Sequence, residues 1–259
     1  MKSIIHCLLV LIIQTGGLIS GFGQQIRIMT YNIHNGADAS EQPTLDSMGY
    51  FIRESGLDIV GLQEVDSICH RSDGVDQPER LGEIVGMDHY FTRHFAYQGG
   101  AYGQGLLSDV PLTNLRNFRL PVFPLEDGKE VSVLMADIHP APDWVFTVGV
   151  VHLDYKSAES RMHQIDILLD SLGDIQDLVL LGDFNAYPDS PEMLKLSQYF
   201  DRFQSTTNEP PTFPAINPDR RIDFIWVKKG SNLRIVSEYI PRVPYSDHLP
   251  VIISVRKSK

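Results

Sequence analysis

LVLLGDFN, residues Leu178 to Asn185, is an apolar run that breaks into Gly182, Asp183, Phe184 and Asn185. A run this apolar, stopped by a glycine, reads as a β-strand buried on both faces and ending in a turn that carries two oxygen-bearing side chains. Buried strands hold their last residues rigidly, and Gly182 permits a sharp turn or the close approach of another segment. Asp183 and Asn185 then either make an ordinary polar turn or face a cleft where chemistry is done. The stretch alone leaves both readings open.

Upstream, Ser157 opens a helix with Met162, Ile165, Leu168, Leu169 and Leu172 on one face, ended by Gly173. Before it, the segments near His89–Tyr97, Tyr102–Leu107, Thr113–Leu120, Glu130–Ile138 and Val145–Leu153 read as strands separated by Gly and Pro turns. At the start of the chain, Gln25–Ile33 alternates as a half-buried strand. Leu45, Met48, Phe51 and Ile52 then recur at helical spacing up to Gly56, and Asp58–Val65 is a strand closing in Gln63 and Glu64. A polar loop from Asp66 to Asp76 leads to a helix over Pro78–Val85. Downstream come a short helix after Pro191, a Pro-rich loop from Pro210 to Pro218, and strands over Ile222–Val227, Leu233–Ile240 and Val251–Val255. So many strands with a few one-faced helices imply two packed mixed sheets with helices outside them.

Of the 259 residues, 42% are apolar, enough for a substantial core. Residues 1–23 hold Lys2, an apolar run from Ile4 to Ile13 and a small-residue site at Gly21 and Gly23, the layout of a cleaved secretory signal peptide. A single domain over residues 24–259 is expected outside or between membranes, secreted or periplasmic, with Cys69 its lone cysteine. The chain has 22 basic against 33 acidic residues, and loss of Lys2 leaves 21 minus 33, or −12. That balance disfavours long-range attraction to nucleic acid, although clustered carboxylates are what a hard divalent cation needs. No amphipathic segment advertises stable membrane insertion.

Polar groups recur at the ends of the expected strands, where packing does not require them. Asn32 closes the first, Glu64 the second, His152 another, and Asp183 and Asn185 the LVLLGDFN strand. Asp223 sits in RRIDFIWV, and Asp247 and His248 in YSDHLPV before the last strand. These acids, amides and imidazoles suit Mg²⁺, Mn²⁺ or Ca²⁺ and proton donation, with no Ser or Cys nucleophile among them.

In this order, MTYNIHNG, LQEVD, VVHLDY, LLGDFNAYPDSPE, RRIDFIWV and YSDHLPV resemble the endonuclease/exonuclease/phosphatase superfamily of DNase I-like phosphoesterases. The resemblance spans nearly the whole mature chain. It implies a four-layer αββα sandwich, an α+β arrangement of two mixed sheets flanked by helices, and metal-dependent hydrolysis of a phosphate ester. By the same resemblance Glu64 is the principal metal ligand, joined by Asn32 and Asp247. Asp183 and Asn185 handle the attacking water and the phosphate, His248 is held by Asp223, and His152 contacts the phosphate. Arg161 and Gln164 match family positions on the helix after His152, and Arg71, Arg220 and Arg221 are further candidates for an anionic substrate group.

Departures blur the substrate. Val65 and Asp66 follow the glutamate where abasic endonucleases place Lys, and Ala186 and Tyr187 stand where inositol phosphatases carry Arg. The RSDGVDQ and GGAYGQGLLS loops resemble those of small secreted bacterial hydrolases. The expectation is a secreted Mg²⁺- or Mn²⁺-dependent phosphodiesterase or phosphomonoesterase, acting as a monomer. Its rivals are a DNase-like nuclease, a sphingomyelinase-like lipid hydrolase, and a cation-binding interaction module that has lost activity.

Overall fold

The structure is a computed structural model that describes residues 24–123, 130–203 and 209–258; the leader expected over residues 1–23 lies outside them. The chain runs through β1 (Gln25–Asn32), α1 (Leu45–Glu54), β2 (Ile59–Ser67), α2 (Gln77–Val85), β3 (Asp88–Tyr97) and β4 (Gly100–Ser108). Next come β5 (Leu112–Pro121), β6 (Glu130–Ala141), β7 (Trp144–His152), α3 (Ala158–Leu172), β8 (Leu178–Asp183) and α4 (Pro191–Leu196). The last strands are β9 (Phe200–Asp201), β10 (Asp223–Lys228), β11 (Leu233–Tyr239) and β12 (Val251–Lys257).

The strands form two six-stranded mixed sheets, ordered β11-β12-β1-β2-β4-β3 and β5-β6-β7-β8-β10-β9. Each has one parallel pair at its centre, β1 with β2 and β7 with β8, and antiparallel neighbours elsewhere. Parallel strands need a long crossover, and α1 and α3 supply it. The consequence for the site is that both strands of each central pair finish at the same edge of their sheet.

Alternation along the strands builds the layers. On β8, Val179 and Leu181 enter a core with Ile28, Ile59, Val148 and Ile253, between the two sheets. Leu178 and Leu180 point the other way, into a core with Ile165 and Leu168 of α3 and Met193 of α4. Met29, Tyr31, Val60 and Leu62 likewise meet Met48 and Ile52 of α1 and Leu81 of α2. The result is the expected four-layer sandwich, helices outside and two sheets inside. The helix signals act locally as read: the Ser157 side chain accepts from Ser160 N, and Asp76 caps α2 with Gly86 at φ 82° behind it.

One strand departs from its expected burial. The alternation in β1 holds only through Arg27; from Ile28 to Asn32 every residue is buried, because the second sheet covers one face and α1 the other. Thr30 is accommodated there by donating from Oγ1 to Gln63 Oε1 at 3.1 Å. The loop expected from Asp66 to Asp76 begins later, since β2 continues to Ser67, and it contains a short 3-10 turn over His70–Ser72.

Candidate active site

Register alone lines up the first part of the site. In the second sheet His152 lies beside Asp183 across the parallel pair, and Asp223 lies beside Asp183 on the other flank. Gly182 allows this crowding: a Cβ there would come within 1.9 Å of Val151 O. In the first sheet Asn32 is beside Gln63. Glu64 follows in a β-bulge, where Gln63 and Glu64 together oppose a single residue of β4 between the Leu62–Gly105 and Val65–Gly103 pairs. Its φ of 57° is one that a residue with a side chain adopts at a cost, and such outliers collect at functional sites.

Asp183 is the point of convergence. Its Oδ2 accepts from Asn32 Nδ2 at 3.1 Å and lies 3.6 Å from His152 Nε2 and 3.8 Å from His248 Nε2. Its Oδ1 accepts from Asn185 N at 2.9 Å, and Asn185 Nδ2 donates to Leu153 O at 3.0 Å, fixing the turn at φ 51°. Asn32 Nδ2 also donates to Glu64 Oε1 at 3.0 Å, and that oxygen is 4.0 Å from His152 Nε2. His248 Nδ1 donates to Asp223 Oδ2 at 3.0 Å, and its ring packs against Phe213 with centroids 4.6 Å apart. Ser246 Oγ ties the loop to β1 by donating to Asn32 O at 2.7 Å. Asp247, on that loop, has Oδ1 3.9 Å from His34 Nδ1.

Burial and charge set the protonation states. Burial, reinforced by Asp223, pushes the Asp183 carboxyl up to about 6, against the opposing pull of His248 and His152. For His248 burial opposes the charge, but Asp223 and Asp183 outweigh it and push the imidazole up to about 10. Glu64 goes the other way: burial raises it, yet His152, the Asn32 hydrogen bond, His248 and His34 together hold it below the usual carboxylate range.

Two groupings compete as a cation site. Among the described residues, Asp183, Asp223 and His248 bring ligand atoms within 4.8 Å of one another. However, His248 Nδ1 is taken by Asp223, so only Nε2, 3.8 Å from Asp183 Oδ2, is left for an ion, and an imidazole raised to about 10 carries a proton there that the ion would have to displace. The Glu64 side fits a hard divalent cation better, with an ionised carboxylate beside Asp183, and a small cation readily fills its remaining positions with water and substrate oxygens. Asn32, expected to join Glu64 at the cation, stands directly beside that glutamate. Its Oδ1 accepts from His34 N at 3.1 Å, which turns Nδ2 to Glu64 and Asp183, so in this arrangement Asn32 orients the two carboxylates.

The arginines divide. Arg71 reaches a cavity bordered by His152. Arg161, expected to meet substrate, donates to buried Glu192 at 2.8 Å and to Asp154 O at 3.1 Å and so braces the turn after β7. Gln164 serves the same turn, accepting from Asp154 N at 2.9 Å. Arg221, 5% exposed, is likewise corrected to a structural role, donating to Asp223 O, Pro210 O and Glu238. Arg220 stacks on Phe213 with its guanidinium 4.3 Å from the ring centre. His34, His94 and Tyr102 also border the site without having been singled out. His34 had a signal, two residues beyond Asn32 in the same motif; the other two sit inside strands with none.

A family model described as "Endonuclease/Exonuclease/phosphatase family" matches residues 29–248. No curated protein matches the chain. Among solved structures, a functionally unknown conserved protein from Enterococcus faecalis V583 is 20% identical, with a TM-score of 0.76 over 90% of this chain and 100% of that one. An endonuclease/exonuclease/phosphatase from Beutenbergia cavernae DSM 12333 is 23% identical, with a TM-score of 0.74 over 90% of this chain and 72% of that one. A mannosyl-6-phosphatase from Bacteroides thetaiotaomicron VPI-5482 is 15% identical, with a TM-score of 0.69 over 89% and 99%.

Proposed function

Because the chain belongs to the endonuclease/exonuclease/phosphatase family, whose members hydrolyse phosphoric esters, we propose that it is a divalent-metal-dependent phosphoesterase cleaving a P–O bond by in-line attack of water. The observation that carries this reading is Asp183 Oδ2, within 3.8 Å of both His152 and His248 and hydrogen-bonded to the amide that also holds Glu64.

Each residue has a task that its surroundings permit. Asp183, with a pKa pushed up to about 6, is a base able to accept a proton from the attacking water near neutrality. His248 stays cationic through the neutral range and is aimed by Asp223, so it opposes charge developing on the phosphoryl oxygens. His152 stands on the other flank of Asp183, in reach of the same phosphoryl group, and Asn185 fixes the phosphate position. Glu64, with Asp247, would hold Mg²⁺ or Mn²⁺, which polarises a phosphoryl oxygen and neutralises its charge. Water oxygen bonds to phosphorus as the ester oxygen leaves with the electron pair, and no covalent enzyme intermediate forms.

The acidic balance of the chain supports a small ester over polymeric nucleic acid as substrate. No helix among the described residues is long and apolar enough to cross a membrane, and the layout of residues 1–23 supports export. We take the exported form to be monomeric. The test is hydrolysis of nitrophenyl phosphate, bis(nitrophenyl) phosphate, plasmid DNA and sphingomyelin by residues 24–259 with Mg²⁺, Mn²⁺, Ca²⁺ or EDTA. Activity that is lost in EDTA and in Asp183→Ala supports the reading. Activity that is indifferent to both overturns it.

A further inference from the structure

Beside His152 lies a cavity of about 520 Å³ that the hydrolytic machinery leaves unused. Its exposed surface is mostly apolar, with Phe95, Tyr97 and Tyr102 in the lining, and the charged residues Glu130, Asp154 and Lys156 also stand in its wall. The three aromatic rings form one cluster, with centroids 5.3 to 6.3 Å apart. Arg71 caps the cluster, its guanidinium 4.7 Å from the Tyr97 ring centre and 5.4 Å from that of Tyr102. Buried Asp66 holds Arg71 through two hydrogen bonds of 2.7 and 2.8 Å, neutralising its charge and locking its plane.

His94 adds one directed polar group. Its Nδ1 accepts from Ser132 N at 2.8 Å, and a backbone N–H can only donate, so the proton of the neutral ring must sit on Nε2. That Nε2–H is buried and has no partner among the described residues. Burial holds the ring neutral, and it lies edge-on to Tyr102 at 5.7 Å and 6.5 Å from His152. An orphaned buried donor costs about 1–3 kcal/mol and calls for an acceptor.

A wall whose exposed surface is mostly apolar and rich in rings suits a planar, weakly hydrated ligand better than a sugar, although Glu130, Asp154 and Lys156 leave polar groups for its edge. We propose that this cavity receives the non-phosphate part of the ester, and that this part carries a planar nitrogen heterocycle of nucleobase type. The heterocycle stacks on Tyr97, with Phe95, whose ring is turned 81° from that of Tyr97, against its edge, and accepts a hydrogen bond from His94. This assignment rests on the phosphoesterase reading for its orientation, since His152 joins the cavity to the reacting phosphate. A net charge of −12 after leader removal points to a mononucleotide-sized ester over a strand.

The test has two arms. In the first, kcat/KM is compared for adenosine 5′-monophosphate, ribose 5-phosphate and glycerol phosphate in the wild type, Tyr97→Ala and Tyr97→Phe. The base-bearing ester is expected to lead by about tenfold or more, as stacking on one aromatic ring allows; Tyr97→Ala should erase that ratio and Tyr97→Phe keep it. Equal rates for the adenosine and ribose esters, or a ratio untouched in Tyr97→Ala, overturn the assignment. In the second arm, phosphate-free adenosine and uridine are titrated against the folded protein by saturation-transfer NMR. Binding that weakens in Tyr97→Ala supports the cavity even if no ester is hydrolysed, in which case the phosphoesterase reading fails alone. Absence of binding by both nucleosides overturns the inference.

Discussion

The two central parallel pairs deliver their residues to the site in different ways. β7 and β8 stay in register to their last residues, so His152 and Asp183 arrive side by side, and Asp223 of β10 joins the same row. β2 instead breaks its ladder with β4 at Gln63 and Glu64, and Glu64 reaches the site through a left-handed backbone. One pair places side chains by regular pleating, at little local cost. The other stores strain to re-aim a single carboxylate. Chemistry that needs a rigid base can sit on the first, while the residue assigned to the cation sits on the second.

The sharpest way to break this comparison is to remove the base from the regular pair. Asp183→Asn should lower hydrolysis by about 10²–10⁴-fold while circular dichroism shows an intact fold, since the amide keeps the shape of the carboxylate. Retained activity would mean that the regular pair is scaffold only. Next is the brace beneath its end. Arg161→Ala leaves Glu192, 1% exposed, without its partner, and should cost about 3–5 kcal/mol in urea denaturation. Gly182→Ala drives a Cβ into Val151 O and should cost about 1–3 kcal/mol, whereas a value near zero would show that the pair can spread.

The pairs should also part company with pH in metal-free protein. His248 is raised to about 10, so its contribution with Asp223 is whole below the unfolded value of about 6.5 and is lost as pH climbs through about 10. Glu64 is lowered, so its contribution is present above the unfolded value near 4.3 and is lost as pH falls through its folded pKa. Denaturation midpoints in EDTA should therefore drop at both ends, with Asp223→Asn flattening the alkaline limb and Glu64→Gln the acid one. The smallest effect tests the bulge directly. Glu64→Ala and Glu64→Gly both lose the carboxylate and hydrolysis, but only glycine relieves the φ of 57°, so the glycine variant should be the more stable of the two by about 1 kcal/mol; equal stabilities would show that the bulge is not strained.

Much of the fold could be read from side-chain periodicity. LVLLGDFN is buried on both faces as its composition implies, and Ser157 and Gly173 bound α3 where a capping residue and a glycine should. Less legible was β1, whose Gln25 and Arg27 suggested one wet face although only its first turn of alternation is exposed. The arginines illustrate a second limit. Arg71, Arg161 and Arg221 carry the same guanidinium, and their sequence neighbours do not say that one lines a cavity while the others are spent on Glu192 and Glu238.

What the chain determined by itself was therefore local: strands, helices, their stops, and an ordered set of polar residues at strand ends that marks a family. These follow from burial patterns and turn chemistry within a few residues. Only the tertiary structure decided that Asn32 offers its amide hydrogens to Glu64 and Asp183, that His248 turns its Nδ1 to Asp223, and that the His94 Nε2–H, without a partner among the described residues, lies near an aromatic cavity. The residues involved are up to 216 positions apart in the chain, as in the contact of Asn32 with His248. Hydrogen bonds are directional and short-ranged, so which atom of each group faces which partner is settled only when the two sheets pack.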